Sequence, residues 1–274
     1  MKPELKKYTE ANRAAWNEVM PWHQKTTQEK LDLAFLQPGF VCLDQVELEL
    51  LQNIGVNNKN IAHLCCNNGI ELMSLKNLGA GTCVGFDIAD EAIKEAIQRA
   101  ERSRIDCQFI RSDVYEIGTE YANLFDLVYI SVGCLGWMPD LKLFFEKVAT
   151  LLRENGRIFI HELHPFSELL PLDGDRESDS LRIVESYFKA EPHIESGGLD
   201  YVGHAQYTAA TTRYWFVHKF SDILMGLIGN QITIEHFSEY EKDISAVFQR
   251  TEQAQAGIPL SYILIGKKQS HEIS

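Results

Sequence analysis

The residues with the clearest capacity for chemistry lie between Asn60 and Asp87. The stretch Asn60-Ile-Ala-His-Leu-Cys-Cys-Asn-Asn-Gly69 places apolar Ile61, Ala62 and Leu64 between polar residues, the pattern of a short strand buried on both faces. Asn67, Asn68 and Gly69 supply turn chemistry, since Asn and Gly tolerate positive φ. Leu72, Leu75 and Leu78 then recur at helical spacing, and Gly79 stands where a helix ends. A strand, a loop of small residues and a helix start let a ligand approach bare backbone N–H groups. A second strand-like run, Thr82 to Asp87, ends on an acid. In a βαβ unit that carboxylate reaches the carboxyl end of the neighbouring strand, where it can accept two hydrogen bonds from ribose hydroxyls. The same spacing also suits a plain crossover in which Asp87 only caps the next helix.

Further chemical groups come later in the chain. His161-Glu162-Leu163-His164 invites a metal reading, but the spacing is not His-Glu-x-x-His and the run is a strand end. Strand alternation puts Glu162 and His164 on one face and His161 on the other, so no metal is expected. His63, inside a strand, reads as a core residue whose hydrogen-bond partner fixes the adjacent loop. At the N-terminus, Leu5, Tyr8, Asn12, Ala15, Trp16 and Val19 share a helical face over residues 4–20. Such a helix either docks on the main domain or forms a lid in which Tyr8 and Trp16 cover a ligand.

The elements that must position these groups alternate. Thr26-Thr27 starts a short second helix that breaks near Pro38-Gly39, and Asp44 with Glu47 resembles a capping box opening the next, which ends at Gly55. A helix is expected over 90–102, strands over 107–110 and 124–132, a helix over 141–152 halted by Asn155-Gly156, and a strand over 157–163. Repeated strand–helix alternation predicts an α/β fold with a doubly wound, mostly parallel sheet. Beyond Pro165 the pattern changes to Pro, Gly, Asp and Ser, and Tyr201 to Val217 reads as strand, paired in a hairpin with 183–188. A helix over 219–228 and strands over 231–236 and 259–267 complete the chain. The implied division is an N-terminal helical lid at 1–55, a core at 56–164, an inserted β-rich segment at 165–218 and a C-terminal helix and strands at 219–274. The insertion covers an acceptor pocket or makes a subunit interface.

Composition narrows the class. At 274 residues and 45% hydrophobic the chain can bury one large core. No apolar run reaches membrane-spanning length and the N-terminus lacks a signal-peptide core, so no membrane partner is expected. The six cysteines sit mostly in apolar runs, which suits reduced thiols and a cytoplasmic location. A net charge of −13 without a basic block disfavours nucleic acid as a partner.

The motifs together resemble the class I S-adenosylmethionine-dependent methyltransferases, whose first loop usually follows an acid and reads Gly-x-Gly-x-Gly. Here His63 takes the acid's place, Cys65 and Asn67 take those of glycines, and Gly69 is kept. A bacterial subgroup with His-Leu-Gln-Cys-x-x-Gly is closer, matching His63-Leu-Cys-Cys-Asn-Asn-Gly69. It also matches Asp113-Val-Tyr115, Phe125-Asp-Leu-Val-Tyr129, Gly136-Trp-Met-Pro-Asp140, Glu162-Leu-His-Pro165, Tyr214-Trp215 with His218, and Pro259-Leu-Ser-Tyr262. The resemblance spans roughly residues 10 to 268.

It implies a seven-stranded Rossmann-like methyltransferase sheet and S-adenosyl-L-methionine as cofactor. Backbone at Cys65, Cys66, Asn67 and Gly69 would face the methionine part. Asp87 would hold the ribose and Ile88 pack on the adenine, while Asp113 and the N–H of Val114 would meet the adenine edge and Ser131 would line the sulfonium. His164 and His218 are candidate bases, with Tyr8, Trp16, Trp137 and Trp215 toward the substrate. The expected reaction is in-line methyl transfer to a small-molecule acceptor by a monomer or homodimer. A nicotinamide-dependent oxidoreductase and a non-catalytic cofactor-binding relative remain as alternatives. The first shares the loop and the ribose acid, but an antiparallel last strand would speak against it.

Overall fold

The computed structural model describes residues 3–175, 177–196 and 211–270. Its centre is a seven-stranded sheet. Strands β1 (Ile61–Leu64), β2 (Cys83–Asp87), β3 (Gln108–Arg111), β4 (Phe125–Ile130) and β5 (Leu152–Leu163) run parallel. A separate pair, β6 (His193–Ser196) and β7 (Thr212–Trp215), forms an antiparallel hairpin. Strands β8 (Ile232–Tyr240) and β9 (Ser261–Lys268) return to the main sheet, whose order is β3-β2-β1-β4-β5-β9-β8. β9 is antiparallel to both β5 and β8. The strand order reverses between β1 and β4, which opens a crevice at their carboxyl ends where α/β folds bind ligands.

The alternation of side chains along each strand divides the core in two. Ala62, Leu64, Phe86, Val128, Ile130, Ile160 and Leu264 face one cluster, which α5 (Leu141–Leu151) and α6 (Phe220–Ile228) cover with Phe144, Phe145, Val148, Ile223 and Leu227. Ile61, Leu127, Tyr129, Phe159, Ile263 and Ile265 face the other. It is covered by α2 (Gln45–Ile54), α3 (Ile70–Asn77) and α4 (Asp90–Ser103) through Leu51, Leu72, Leu75, Ile93 and Ala96. This double coverage is why the parallel strands read as unbroken apolar runs. Among the described residues no helix is long and apolar enough to cross a membrane.

Several expected boundaries move. Helix α1 (Pro3–Phe35) is a single helix of 33 residues that continues through Pro21. A proline removes one backbone hydrogen bond, and here α1 regains contacts along its length. Arg13 and Asn17 bind Asp90, Gln24 meets the carbonyl of Glu91, and Asp32 pairs with Arg99 and Arg102. The capping box at Asp44 forms by half. Asp44 accepts from the N–H of Val46 at 2.8 Å, but the Glu47 side chain turns inward to the Tyr129 hydroxyl and lies 3.4 Å from His161 Nδ1. Helix α5 ends at Leu151 rather than at Asn155-Gly156, because Leu152 already pairs with Phe125 before the ladder slips by a bulge.

The partner of β7 also differs. It pairs with His193–Ser196, not with residues 183–188. The N–H of Val184 is taken by the carbonyl of Leu169 at 2.8 Å and that of Lys189 by Ser186 at 3.1 Å, so this stretch is spent on turns. The part of the expected strand that includes Tyr201 and Tyr207 lies outside the described residues.

Candidate active site

The loop after β1 keeps the backbone shape that three glycines would give. Cys65, Asn67 and Gly69 have φ of 54°, 46° and 78°. Left-handed geometry costs a side-chain-bearing residue roughly 1–2 kcal/mol, less for Asn, so the turn is retained at the expense of some strain. Gly69 alone cannot be replaced cheaply: a Cβ there would lie 2.5 Å from the Phe109 ring. The loop's N–H groups are not bare as expected. Cys66 donates to the Phe86 carbonyl at 3.0 Å, Asn67 to Asp87 Oδ2 at 2.8 Å, and Gly69 to the Cys66 carbonyl at 2.9 Å. The Cys66 side chain is fully buried in the core, and its backbone N–H, expected to face the methionine part, is taken by the Phe86 carbonyl. The exposed edge of the loop is left to Cys65, Asn67 and Asn68, all half-buried.

Asp87 ends β2 beside this loop. Its second oxygen accepts the N–H of Ala89 at 2.8 Å. Burial raises its pKa, and the N–H groups of Ala89, Asn67 and Ile88 oppose the rise. A carboxylate has about four lone-pair sites. Two protein donors at 2.8 Å therefore leave room for the two donors of a ribose diol. Ile88 is half-buried next to it. Asp113, 5% exposed, ends the loop after β3 and caps the following turn by accepting the Tyr115 N–H at 3.0 Å. Burial raises its pKa, and the nearby Thr9 hydroxyl of α1 opposes the rise, so an adenine amino group would share this carboxylate with the Tyr115 N–H. Val114 is buried in the core below.

On the other side of the crevice, Ser131 follows β4 and its Oγ lies 3.0 Å from His63 Nε2. His63 is completely buried, and burial depresses its pKa to about 3, so the ring is neutral. It thus joins the ends of β1 and β4, the role expected for a core histidine. The next turn is held by a group for which the sequence reading found no role. Glu162, 4% exposed on β5, accepts the N–H groups of Gly133 at 2.9 Å, Leu135 at 2.8 Å and Leu163 at 3.0 Å. Burial pushes its pKa up to about 7 against those three donors. An acid just beyond the apolar run Ile158-Phe159-Ile160 was the available signal.

The two histidines proposed as bases separate. His164 Nδ1 accepts the Phe166 N–H at 3.0 Å, so Nε2 carries the proton and donates it to Glu239 at 2.9 Å. With both nitrogens committed, His164 has no lone pair for an acceptor's proton in this arrangement. His218 lines a small cavity and its Nε2 donates to the Met138 carbonyl at 2.9 Å. Burial lowers its pKa.

The four aromatic residues expected near a substrate do assemble. Trp16 meets Trp137 at 5.5 Å between ring centroids, and Trp137 meets Trp215 at 4.9 Å, both edge to face. Tyr8 packs on Tyr214 at 4.8 Å and Phe216 at 5.3 Å. Asn12 fastens α1 to β7 with two hydrogen bonds to the Tyr214 backbone, of 2.9 and 2.7 Å. Trp215 also approaches Gly136 so closely that a Cβ there would lie 2.2 Å from the indole. Helix α1 and the hairpin strand therefore roof the crevice together.

Residues 61–156 match a family model described as a methyltransferase domain. A ribosomal protein L11 methyltransferase from Neisseria meningitidis is 26% identical over 153 residues, 52% of this chain and 47% of that protein. The rRNA N(6)-adenosine-methyltransferase METTL5 of Danio rerio is 35% identical over 79 residues, 28% of this chain and 37% of that protein. The chain thus spans about half the length or less of these curated relatives. Among solved structures, a putative S-adenosylmethionine dependent methyltransferase from Listeria monocytogenes superposes with a TM-score of 0.60 at 19% identity, over 82% of this chain and 98% of that one. These relatives correct one expectation. Proteins named for a ribosomal protein and for rRNA are similar to part of this chain, so the lack of a basic block does not exclude nucleic acid or confine the acceptor to small molecules.

Proposed function

We propose that this chain, a class I S-adenosylmethionine-dependent methyltransferase by its fold and its matched domain, binds that cofactor across the β1–β4 crevice and methylates a nucleophile presented under the aromatic roof. The observation that carries the reading is Asp87. Its carboxylate stands at the end of β2 beside a loop in glycine-like conformation, with acceptor capacity left on both oxygens. The cofactor supplies an activated methyl group on a positively charged sulfur, and its transfer leaves S-adenosylhomocysteine.

The chain's own residues supply placement. Asp87 holds the ribose hydroxyls, Ile88 packs against the adenine, and Asp113 with the Val114 N–H reads the adenine edge. Cys65 and Asn67 border the methionine end. Ser131, fixed by His63, and the turn fixed by Glu162 form the wall from which the methyl group departs. Holding donor and acceptor at attack distance can supply roughly 7–11 kcal/mol of a barrier, so positioning is the main demand. The cavity beside His218 is about 30 Å³ and admits only a slender group. Such a group is presented equally by a small molecule and by the tip of a macromolecular side chain.

Calorimetric titration of the chain with S-adenosylmethionine, S-adenosylhomocysteine and NADH, repeated on Asp87→Ala, tests the reading. Micromolar binding of the first two that is lost in the variant supports it. Binding of NADH alone overturns it in favour of an oxidoreductase.

A further inference from the structure

The small cavity beside the Glu162 turn has an unusual balance of hydrogen-bonding groups. It lies between the end of β5, the turn after Pro165, β7 and β9. Glu162, Glu168 and Tyr262 all line it. Glu162 spends its oxygens on three backbone donors. Among the described residues both oxygens of Glu168 share a single donor, the Trp215 indole N–H, at 3.1 and 3.2 Å. The Tyr262 side chain is fully buried, and its hydroxyl has no hydrogen-bond partner among the described residues. A buried hydroxyl without a partner costs about 1–3 kcal/mol, and here it lines a cavity that a polar guest can enter.

Counting sites identifies the guest's chemistry. Each carboxylate offers about four lone-pair sites and the phenol oxygen adds more, while among the described residues the side-chain donors on the wall are the Trp215 indole, the Tyr262 phenol and His218, whose Nε2 is committed to the Met138 carbonyl. The surplus is in acceptors. An anion would face two carboxylates and is excluded by repulsion. An alcohol brings one donor. An ammonium group brings three donors, no acceptor and a positive charge. The walls suit it as well, since Trp215 and Phe216 present aromatic rings to a cation.

We propose that this cavity is the acceptor pocket and that it takes an amine, whose protonated nitrogen is held by Glu168 and the Tyr262 hydroxyl against the Trp215 ring. The assignment rests on the methyltransferase reading above and names its substrate class. The amine enters as an ammonium ion, and one N–H proton passes to a Glu168 oxygen. That leaves a neutral carboxylic acid and a neutral amine whose lone pair is free to act as nucleophile. Burial, with Glu162 and Glu195 adding their charges, lifts the Glu168 pKa to about 7, which makes the carboxylate a competent proton acceptor near neutrality.

The test uses n-butylammonium and n-butanol as probes of equal shape, read by the Trp215 indole N–H resonance of the full chain in the presence of S-adenosylhomocysteine. The expected result is a saturable shift with butylammonium at concentrations at least about tenfold below those needed for butanol. Glu168→Gln should erase that preference, and Tyr262→Phe should weaken butylammonium several-fold. Equal binding of the two probes, a preference that survives Glu168→Gln, or no shift with either (a cavity that holds only water) would each overturn the proposal. Calorimetry with S-adenosylhomocysteine on the same samples separates the two readings. Cofactor binding without amine binding removes only the amine pocket, whereas absence of cofactor binding removes the methyltransferase reading itself.

Discussion

Two carboxylates do the same mechanical task on opposite sides of the crevice, and their difference separates the cofactor half from the acceptor half. Asp87 on β2 clips the loop after β1 through the Asn67 N–H. Glu162 on β5 clips the loop after β4 through the N–H groups of Gly133 and Leu135. Each fixes a loop from the neighbouring strand. Asp87 has two backbone donors, is half-buried, and keeps acceptor sites for a ligand. Glu162 has three donors and is 4% exposed, so its task is to hold its loop. Under the proposed function one clip doubles as a binding group, while the other is structural and stands beside the cavity lined by Glu168 and Tyr262.

The largest expected effect comes from removing the clip that also binds. Asp87→Ala strips two buried N–H groups of their acceptor and deletes the ribose partner, so cofactor affinity should fall by about a hundredfold in calorimetry, the sum of two losses of about 1.4 kcal/mol each. Gly69→Ala should follow, lowering unfolding free energy in urea by about 2–3 kcal/mol, because its Cβ would need the Phe109 ring to move and its φ of 78° disfavours any side chain.

Glu162→Gln sharpens the contrast through pH. The native pKa is raised to about 7 from the ordinary 4.5, so the folded chain holds a proton that the unfolded chain has lost. Stability from this group is therefore complete below about pH 4.5 and lost as pH rises through 7. In the variant the fall in unfolding free energy across that window should be shallower, by up to about 1.4 kcal/mol per pH unit for one proton. A slope equal to that of the unaltered chain would show that Glu162 is not the group that titrates.

The smallest effect belongs to Cys65→Gly with Asn67→Gly. Relief of two left-handed side-chain residues is offset by the entropy of two glycines, so stability should change by less than about 1 kcal/mol and cofactor affinity by less than threefold. A large gain in affinity would mean that these side chains obstruct the pocket.

The βαβ unit that carries the candidate cofactor residues was legible because it is local. Asn60 to Asp87 is one βαβ unit, and the side-chain periodicities that define it repeat every two or three to four residues. The fold followed for the same reason, down to the antiparallel last strand. The aromatic roof was legible only in composition. Tyr8, Trp16, Trp137 and Trp215 stood out by type, but their convergence depends on how α1 crosses the crevice. The acceptor half was least legible. Glu162, Glu168, Trp215 and Tyr262 come from three segments separated by long connections, and nothing in sequence spacing encodes that they line one cavity. The histidines drew attention by their usual pKa, and local backbone geometry claimed them first. His164 was taken by the Phe166 N–H just beyond it.

The position of β9 has a consequence for the order in which the molecule is made. The strand of residues Ser261–Lys268 is synthesised after β8 yet lies between β5 and β8 in the sheet. Until it emerges, β5 presents an open edge of apolar strand, a template for pairing with other chains. Tyr262 arrives with that same strand. Insertion of that one strand therefore closes the exposed edge and brings Tyr262 to the wall of the candidate cavity in the same event.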